Sequence, residues 1–559
     1  MSTPDNRRMK FKNEGKTTDE SRRRREDETI QIRKSKREEQ VLKRRNITLY
    51  SISSQDTDDT DDAMKSPTSV SNVSDIDTTI IIEDSSTSID ERATIILKKV
   101  LPHLASDELS DKMLVGLVAV RRLLSLEPAP PIQRVIDSGV VPKLVQLMKI
   151  TDRPEFAFEA CWCITNIASG TTEQTQSLID AGGHKALVDI VDICPNREMV
   201  EQAVWAIGNI AGDGASFRDL LYQLDAMNIL LKWLKPTAQS SVSLKRQVIW
   251  AVSNLNRSKK PPPTLHEIKP CIPALKYIMS THKDREMLTD CCWAFSYITD
   301  SNNDKIDAVI QSGVVPLLIK ILDCEEQTLQ SAAIRAIGNI VSGSDEQTQV
   351  ALDADLLKVL RKLLVNSKQP VIKEVCWTLS NILAGNQVQV QLVLDSGCLE
   401  QVLRMVIVGD QRTRKEATWA VTNATSGATD SQMAELLKMD VVKYLCESLR
   451  IDDAKMILVA LAGLENCFKY GHRLGQYRNE QYNPVHDLVE ECGGLDKLEF
   501  LQGHPNQEVF ERVSKMFDDW LVEDADERTH IVPAVDERGF FRFGPTSVRN
   551  DNANNGFNF

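Results

Sequence analysis

The sequence predicts an all-α solenoid of about ten stacked helical repeats, and two observations support this prediction. A tryptophan followed four residues later by an asparagine recurs along the chain, and successive copies, two of them degenerate, start 42 to 45 residues apart. Aromatic residues make up only 5% of the chain and strand-like alternation is scarce, so helices are the expected elements. This period is typical of armadillo or HEAT repeats, whose short helices stack around one continuous core. The intact pairs are Trp162/Asn166, Trp205/Asn209, Trp250/Asn254, Trp377/Asn381 and Trp419/Asn423.

Two adjacent repeats in the middle of the array depart from this pair. Trp293 is followed by Tyr297 instead of an asparagine, and Arg335 replaces the tryptophan ahead of Asn339. The ladder of pairs is therefore interrupted, which predicts two separate sites. The larger site holds the first three intact pairs, and the smaller one is centred on the last two.

The Trp/Asn pairs are predicted to lie on an exposed face. Residues four apart share one face of a helix, so each tryptophan stands beside its asparagine. A tryptophan that recurs in every repeat is usually a core residue, but a buried amide without partners costs about 1–3 kcal/mol. Residues such as Ile164 and Ile167 already supply an apolar face turned away from the pair. We therefore expect the asparagines, and the tryptophans with them, to face solvent.

An exposed ladder of this kind suits an extended, positively charged peptide. An asparagine amide offers a donor and an acceptor to any peptide backbone, and slots between indole rings accommodate the stems of Lys and Arg. Several carboxylates share the stripe: Asp213 follows Asn209 by four residues, and Asp290, Glu374 and Glu416 each precede the tryptophan of their repeat by three. One such carboxylate is usually only solvated, but several beside indole slots predict selection of cationic side chains.

Composition and motifs exclude several other classes of protein. Twelve cysteines without a CxxC pair indicate reduced, packed thiols, and the eight scattered histidines make a zinc site improbable. Gly15-Lys16-Thr17 lacks the upstream glycine and strand of a phosphate-binding loop, and no catalytic triad stands out. No apolar run reaches the roughly 20 residues of a membrane span. We expect a soluble intracellular protein that is not an enzyme and holds no metal or cofactor.

Charge is distributed unevenly along the chain. The net charge of −13 divides into +7 for residues 1–50, with 16 basic and 9 acidic residues, and −20 for the remainder. The basic clusters of the arm are Arg22, Arg23, Arg24 and Arg25, then Arg33, Lys34, Lys36 and Arg37, then Lys43, Arg44 and Arg45. Such an arm can fold as a helix on a partner or bind nucleic acid. The acidic body conflicts with direct binding to nucleic acid.

The chain divides into four predicted segments. Residues 1–50 form the basic arm, and residues 51–92 form a disordered linker rich in Ser, Thr and Asp. Residues 93–521 form the repeat domain, in which Gly turns such as those at Gly139 and Gly313 open the next repeat. Residues 522–559 form a tail that is first acidic and then rich in Gly, Asn and Phe, and is predicted to be disordered.

These features together resemble the importin-alpha family of nuclear import adaptors. The resemblance rests on the Arg22 to Arg25 and Lys43-Arg44-Arg45-Asn46 clusters, on segments 161–170 and 202–214, and on the Phe557-Asn558-Phe559 ending. It implies a right-handed superhelix of armadillo repeats, an arm that binds importin-beta, and a groove that binds Lys/Arg-rich nuclear localisation signals. It also implies an export receptor that contacts the last repeats, and shuttling between cytoplasm and nucleus.

The same resemblance implies a role for individual residues. The larger, major signal site would comprise Trp162, Asn166, Gly170, Thr175, Gln202, Trp205, Asn209, Asp213, Trp250, Asn254, Asp290 and Trp293. The minor site would comprise Arg335, Asn339, Glu374, Trp377, Ser380, Asn381, Glu416, Trp419 and Asn423. Importin-beta would bind the clusters at Arg22 to Arg25 and at Arg33 to Arg37, and Lys43, Arg44 and Arg45 would act as an autoinhibitor that resembles cargo.

A signalling or junctional scaffold of the beta-catenin kind is the competing prediction. Such a scaffold also binds extended ligands, but it favours a basic groove for acidic partners. The carboxylates beside the tryptophan ladder argue for the adaptor instead.

Overall fold

The computed structural model describes residues 87–127, 129–257, 260–478 and 482–521, together with 534–535 and 541–542. Contacts divide the chain into two compact units, Met1–Cys398 and Leu399–Phe559, and each unit is described by itself. The basic arm, most of the linker and most of the tail lie outside the described residues, so the predictions made for them remain predictions.

The first unit is built from short helices that follow one another in sequence. They are α1 (Ile89–Leu104), α2 (Asp111–Leu124), α3 (Ile132–Asp137), α4 (Val141–Leu147), α5 (Pro154–Ala168), α6 (Thr172–Asp180), α7 (Gly183–Ile193), α8 (Arg197–Asp213), α9 (Ala215–Gln223), α10 (Ala226–Lys232), α11 (Val242–Leu255), α12 (Leu265–Ile268), α13 (Cys271–Thr281), α14 (Arg285–Thr299), α15 (Asn303–Gln311), α16 (Val315–Ile321), α17 (Gln327–Ile340), α18 (Asp345–Asp353), α19 (Leu356–Asn366), α20 (Gln369–Leu383) and α21 (Gln387–Asp395).

The second unit continues the same pattern. Its helices are α22 (Cys398–Val408), which begins at the last residue of the first unit, α23 (Gln411–Gly427), α24 (Asp430–Lys438), α25 (Val441–Ser448), α26 (Ala454–Arg478), α27 (Val485–Glu491), α28 (Gly494–Leu501) and α29 (Gln507–Met516), followed by a π-helical turn at Phe517–Leu521. In the tail, strands β1 (Ala534–Val535) and β2 (Phe541–Arg542) pair antiparallel, a feature that the sequence did not predict.

One long helix per repeat packs directly against its equivalent in the next repeat. In the first unit these ladder helices are α2, α5, α8, α11, α14, α17 and α20, and in the second they are α23, α26 and α29. The described part of the chain thus contains ten of them, and the prediction of an all-α armadillo array is confirmed. Ile164 and Ile167 are fully buried, as expected for the apolar side of α5. No helix within the described ranges is long and apolar enough to cross a bilayer.

Glutamine side chains join the first helices of neighbouring repeats. Gln347 and Gln389 sit at the third position of α18 and α21, where each amide oxygen accepts the backbone N–H of the N-cap residue in a capping box. The same amides donate to the preceding repeat: Gln347 Nε2 lies 3.1 Å from the Asn303 carbonyl oxygen, and Gln389 Nε2 lies 2.8 Å from that of Asp345. One side chain therefore caps its own helix and fixes the spacing to the helix before it.

A glycine four residues ahead makes room for each of these amides. A Cβ at Gly170, Gly343 or Gly385 would lie 2.1, 1.9 or 2.0 Å from the amide oxygen of Gln174, Gln347 or Gln389. Gly170, which was predicted as a signal-binding residue, therefore has a structural role at the start of α6. The sequence carried this signal as a recurrent Gly followed four residues later by Gln.

Two buried cations hold the segment between α11 and α12. Arg218 of α9 donates to the carbonyl oxygens of Arg257 and Pro261, at 3.0 and 2.6 Å. Lys305 of α15 donates to the Pro263 carbonyl oxygen at 2.5 Å. Arg218 and Lys305 are only 1% and 5% exposed, so these bonds replace the water that each cation loses. The backbone at Arg257, Pro261 and Pro263 is therefore held from both neighbouring repeats.

In most of the described repeats the turn into the second helix has a left-handed backbone conformation, but the turn into α13 does not, because Pro270 precedes that helix with φ of −61°. Gly139, Gly182, Gly313 and Gly397 adopt it with φ between 68° and 75°, and Asp225, Asp355 and Asp440 occupy the same place with φ of 56°, 61° and 58°. An L-residue with a side chain is strained there, although aspartate tolerates the conformation better than most residues. Three turns of the array thus retain a small backbone strain.

We expect Asp355→Gly to raise the free energy of unfolding by about 0.5–1 kcal/mol, because glycine removes the left-handed strain at this exposed turn. Asp353→Gly is the matched control: Asp353 ends α18 and accepts a 2.8 Å bond from Gln349, so its replacement should destabilise. Denaturant unfolding of both full-length variants tests the prediction. Equal destabilisation by the two changes would contradict it.

Candidate peptide-binding ladder

The ladder asparagines of the first unit are each hydrogen-bonded to the preceding repeat. The amide Nδ2 atoms donate to backbone oxygens as follows: Asn209 to Thr165 at 3.2 Å, Asn254 to Gly208 at 2.9 Å, Asn339 to Ser296 at 2.9 Å and Asn381 to Gly338 at 3.2 Å. The acceptor is always the residue just before the asparagine position of the earlier repeat. Asn166 makes the corresponding bond to the Ser125 hydroxyl, at 3.1 Å. The bond orients every amide in the same way and uses one of its two hydrogens.

The prediction that the Trp/Asn face is exposed is wrong for most of its members. The exposed fraction is 0% for Trp162, Asn166, Asn209 and Trp250, 2% for Asn254, 3% for Trp377, 5% for Asn339 and 6% for Asn381. Trp205 and Trp293 are half-buried. The argument for exposure assumed a buried amide without partners, but the bond to the preceding helix compensates its desolvation. These asparagines therefore have a structural role between repeats.

Glycine lets two of the tryptophans pack directly on the backbone of the preceding helix. A Cβ at Gly208 would lie 2.2 Å from Cζ3 of Trp250, and one at Gly338 would lie 2.1 Å from Cζ3 of Trp377. The equivalent residues ahead of the half-buried Trp205 and Trp293 are Thr165 and Ser253. At these four positions, glycine before the asparagine position goes with a buried indole in the next repeat, and a larger residue goes with a half-buried one. The sequence displayed this signal as Gly-Asn in two repeats only.

The residue three places before each tryptophan position also forms a row. Asp290 and Glu374, both predicted, are each 7% exposed. Glu374 accepts from Arg335 Nη2 at 2.8 Å and from Lys373 Nζ at 2.9 Å. The guanidinium of Arg335 lies 5.4 Å from the ring centroid of Trp377. A carboxylate and an indole together hold one arginine.

The same arrangement occurs at the start of the array, where the sequence did not predict it. Arg121 of α2 lies 4.4 Å from the ring centroid of Trp162, and its Nε donates to Glu159 at 2.5 Å. Both charged side chains are buried, at 5% and 1% exposure. Glu159 precedes Trp162 by three residues, so the spacing that identified Asp290 and Glu374 would have found it. Arg121 was missed because its own repeat lacks the tryptophan.

The interruption of the array changes its surface chemistry more than its packing. Trp293 and Tyr297 stack with centroids 6.0 Å apart and an interplanar angle of 21°. The Arg257 guanidinium lies 5.2 Å from the Tyr297 ring. Tyr297 has no amide with which to reach α11, but the bond from Asn339 to Ser296 continues the ladder on its other side. The predicted break is therefore a change of side chains within a continuous stack of helices.

Asp213 is the last residue of α8. The partial negative charge of the helix C-terminus there adds to the charge of the Asp213 carboxylate. Its Oδ1 accepts a 2.9 Å bond from the Thr172 hydroxyl at the start of α6. This end of α8 is therefore suited to a cation.

Three further predicted residues are buried and hydrogen-bonded within the repeats. The Thr175 hydroxyl donates to the Thr171 carbonyl oxygen at 3.1 Å. Gln202 has no exposed area, and its backbone oxygen accepts a 3.1 Å bond from the Thr165 hydroxyl of the preceding ladder helix. Ser380, predicted for the minor site, donates to the Trp377 carbonyl oxygen within its own helix at 2.8 Å. These hydrogen bonds stabilise the helices and their packing.

The second unit carries the remaining predicted residues on α23. Trp419 is half-buried against Ile451, Met456 and Val459, and Lys455 Nζ lies 5.8 Å from its ring centroid. Asn423 is 1% exposed and Glu416 is half-buried. All predicted arm residues, from Arg22 to Arg45, lie outside the described residues.

Metal-binding geometry is limited to one surface group in the part of the chain that the structure describes. His486, Asp487 and Glu490 place one possible ligand atom each within 4.8 Å of one another. The carboxylates are exposed, and exposed acidic groups of this kind are common without an ion. The group is remote in sequence from the ladder residues.

We expect Gly208→Ala to lower the free energy of unfolding by about 1–3 kcal/mol, because the new methyl group displaces the buried Trp250 ring. Ser253→Ala, at the equivalent position ahead of Trp293, loses one bond to its own helix and should cost less than about 1 kcal/mol. Thermal and denaturant unfolding of both variants measure the difference. A Gly208 variant as stable as the parent would show that the indole does not depend on the bare backbone.

Several segments match known families. Residues 7–111 match the importin beta binding domain, and residues 483–534 match an atypical Arm repeat. Armadillo/beta-catenin-like repeats match at 128–169, 171–212, 302–342, 344–384 and 386–426.

Relatives of similar length match nearly end to end. Importin subunit alpha-3 of Caenorhabditis elegans is 43% identical over 556 residues, covering 99% of each chain. Importin subunit alpha-B of Dictyostelium discoideum is 42% identical, covering 92% of this chain and 93% of the relative. A crystal structure of an engineered protein is similar at 25% identity with a TM-score of 0.67, covering 76% of this chain and 98% of the other. With armadillo repeats in both units and relatives across its length, the chain belongs to the importin-alpha family.

Proposed function

We propose that this protein is a nuclear import adaptor, which binds Lys/Arg-rich nuclear localisation signals on its ladder helices and links them to importin-beta through the basic arm. The observation that carries the proposal is the paired use of carboxylate and indole around arginine at Arg121 and Arg335. The match of residues 7–111 to an importin beta binding domain supports the link to the carrier. The protein would shuttle between cytoplasm and nucleus, with an export receptor on its last repeats.

The chain's own arginines illustrate the chemistry that a signal peptide would meet. A guanidinium or ammonium over an indole gains cation–π attraction, and a carboxylate three residues earlier adds charge. Asp290 supplies such a carboxylate three residues ahead of Trp293, and the neutral amide of Gln202 has the same position ahead of Trp205. The major site is therefore proposed along α5, α8, α11 and α14, where Asp213 adds a further negative charge.

The asparagines would hold the peptide backbone in this proposal. The bond to the preceding helix fixes the amide plane, so little side-chain entropy remains to be lost when a ligand binds. Recognition of backbone groups tolerates any sequence, while the slots select cations. The two functions of the ladder, joining repeats and binding peptide, would then use different atoms of one amide.

The minor site is proposed from Arg335, Asn339, Glu374, Trp377 and Asn381 in the first unit. By sequence equivalence, Glu416, Trp419 and Asn423 repeat the pattern on α23 of the second unit. A signal with two basic clusters would gain affinity because its second cluster binds intramolecularly.

An adaptor role requires no catalytic group, and the family is one of transport adaptors. The beta-catenin type of scaffold is not favoured, because Asp213 and Asp290 place carboxylates on the ladder that suit basic ligands, and Glu374 already binds the cations of Arg335 and Lys373.

We expect Asp213→Lys to weaken binding of a lysine-rich, single-cluster signal peptide by about 2–5 kcal/mol, because like charges then meet at the end of α8. Asp180→Lys is the matched control, since it makes the same change in net charge at an exposed position on α6. Calorimetric titration of both variants measures the difference. Equal losses would assign the effect to overall charge and remove Asp213 from the site.

We expect Lys43, Arg44 and Arg45 to compete with cargo in the absence of importin-beta. An arm with a dissociation constant of about 10 μM, at an effective concentration of about 1 mM, lowers cargo affinity roughly 100-fold. Replacing all three residues by alanine should restore that affinity in the full-length chain. Adding importin-beta should do the same for the unmodified chain, because it sequesters the arm.

The control for the arm experiment is the triple change Lys10, Lys12 and Lys16 to alanine, which removes the same charge from another part of the arm. It should leave cargo affinity low until importin-beta is added. If neither importin-beta nor the change at residues 43–45 alters cargo affinity, autoinhibition by the arm is wrong. If no basic peptide binds under any condition, the adaptor function itself is wrong.

A further inference from the structure

We propose that Glu201 is the carboxylate that selects a lysine or arginine side chain of the ligand beside Trp205, with Ser243 and Gln247 of the next ladder helix as its polar neighbours. This inference rests on the proposed function, because it names the residue that gives one slot of the proposed groove its specificity.

The row of residues three places before each tryptophan loses its charge at two consecutive repeats. Glu159, Asp290 and Glu374 are acidic members of this row, but Gln202 and Gln247 hold the positions ahead of Trp205 and Trp250. A neutral amide accepts a hydrogen bond from a cation without balancing its positive charge. A cation beside α8 and α11 therefore needs a carboxylate from outside this row.

Glu201 stands one place away from the row and on the same side of the helix as the indole. It precedes Trp205 by four residues, which is one helical turn. Its exposed fraction is only 7%. The Ser243 hydroxyl of α11 donates to Oε1 of Glu201. The other carboxylate oxygen, Oε2, accepts no hydrogen bond from the residues that the structure describes.

Two other buried carboxylates of the ladder are bound by cations of the chain itself. Glu159 is 1% exposed and pairs with Arg121, and Glu374 is 7% exposed and pairs with Arg335. Burial of a carboxylate is costly unless a cation or several hydrogen bonds compensate it. Glu201 has a neutral hydroxyl where these two have an arginine. Burial raises the pKa of Glu201, against the opposing hydrogen bond from Ser243, and the nearby Glu198 adds to the rise.

Helix α11 supplies a second acceptor that lacks a donor. Gln247 follows Ser243 by four residues, so it lies one turn further along the same side of α11. Its side-chain oxygen Oε1 is buried and accepts no hydrogen bond within the described part of the chain. Buried acceptors without a donor are rare in folded proteins. An unpaired carboxylate oxygen and an unpaired amide oxygen on facing helices both require a donor that carries positive charge.

A lysine or arginine side chain meets both requirements at once. An ammonium has three donors and a guanidinium has five, so one side chain can bind the Glu201 carboxylate and the Gln247 oxygen together. Its aliphatic stem would lie against the half-buried Trp205 ring. Ser243 holds the carboxylate by one oxygen and leaves the other for the ligand, so Ser243 acts as a positioning residue.

A double-mutant cycle between the protein and the peptide tests the assignment. Glu201→Gln removes the charge and keeps an acceptor for Ser243, and Glu198→Gln is the matched control, since it removes the same charge one turn earlier at an exposed position. A lysine-rich, single-cluster peptide is titrated calorimetrically into the full-length chain and both variants. The titrations are repeated with peptides in which one lysine at a time is replaced by norleucine.

We expect Glu201→Gln to weaken binding of the all-lysine peptide about tenfold, and Glu198→Gln to weaken it less than about threefold. One norleucine peptide should bind the Glu201 variant as well as the all-lysine peptide does, because the lysine that it lacks has lost its partner. The unmodified chain and the Glu198 variant should still discriminate against that peptide. Ser243→Ala keeps the charge, so it should preserve sensitivity to the same lysine while lowering affinity less than Glu201→Gln.

Thermal unfolding of each variant separates loss of binding from loss of fold, and the midpoint of Glu201→Gln should stay close to that of the unmodified chain. If Glu201→Gln weakens every peptide by the same factor, or no more than Glu198→Gln does, Glu201 does not select a cation, and the proposed function is unaffected. If the unmodified chain binds no basic peptide, the proposed function is wrong and this inference is wrong with it.

Discussion

The hydrogen bond from an asparagine amide to a carbonyl oxygen of the preceding ladder helix determines how repeats of the first unit meet. It recurs from Asn209 to Asn381 with donor–acceptor distances of 2.9 to 3.2 Å. Apolar packing alone is non-directional and leaves two helices free to slide. A bond between defined atoms removes that freedom, so the indoles of successive repeats stand at a fixed spacing.

The charged residues of the ladder follow from the same fixed spacing. Arg121 and Arg335 each reach across one repeat to an indole and a carboxylate, which requires the helices to keep one register. A peptide side chain entering a neighbouring slot would find its partners equally prearranged. Affinity in such a groove depends on preorganisation more than on buried area. In the proposed function, the fixed spacing of the stack would place successive slots for cationic side chains at regular intervals.

The sequence predicted the repeat helices well because the Trp/Asn spacing reports directly on helical turns. It failed on exposure, since the partner of four of the amides is a backbone atom 43 to 46 residues away that no side-chain pattern identifies. The structural role of the recurrent Gly and Gln, as at Gly170 and Gln174, was missed for a related reason. The helix cap that the glutamine forms is local, but its contact with the preceding repeat, such as that of Gln347 with Asn303, is not. Arg121 was missed because the first repeat lacks its tryptophan, whereas Glu159 stands at the spacing that identified Asp290 and could have been predicted from it. Local periodicity was therefore readable, and contacts between repeats were not.

All of the asparagine bonds in the first unit point the same way, from one repeat to the one before it. Four of these repeats carry their own asparagine donor, and its acceptor is main chain, which a neighbour supplies whatever its side chains are. Duplication or loss of a whole repeat during evolution would place two previously non-adjacent repeats side by side without needing a newly matched interface. Such an array can change length in single steps while the side chains facing its ligand diverge independently.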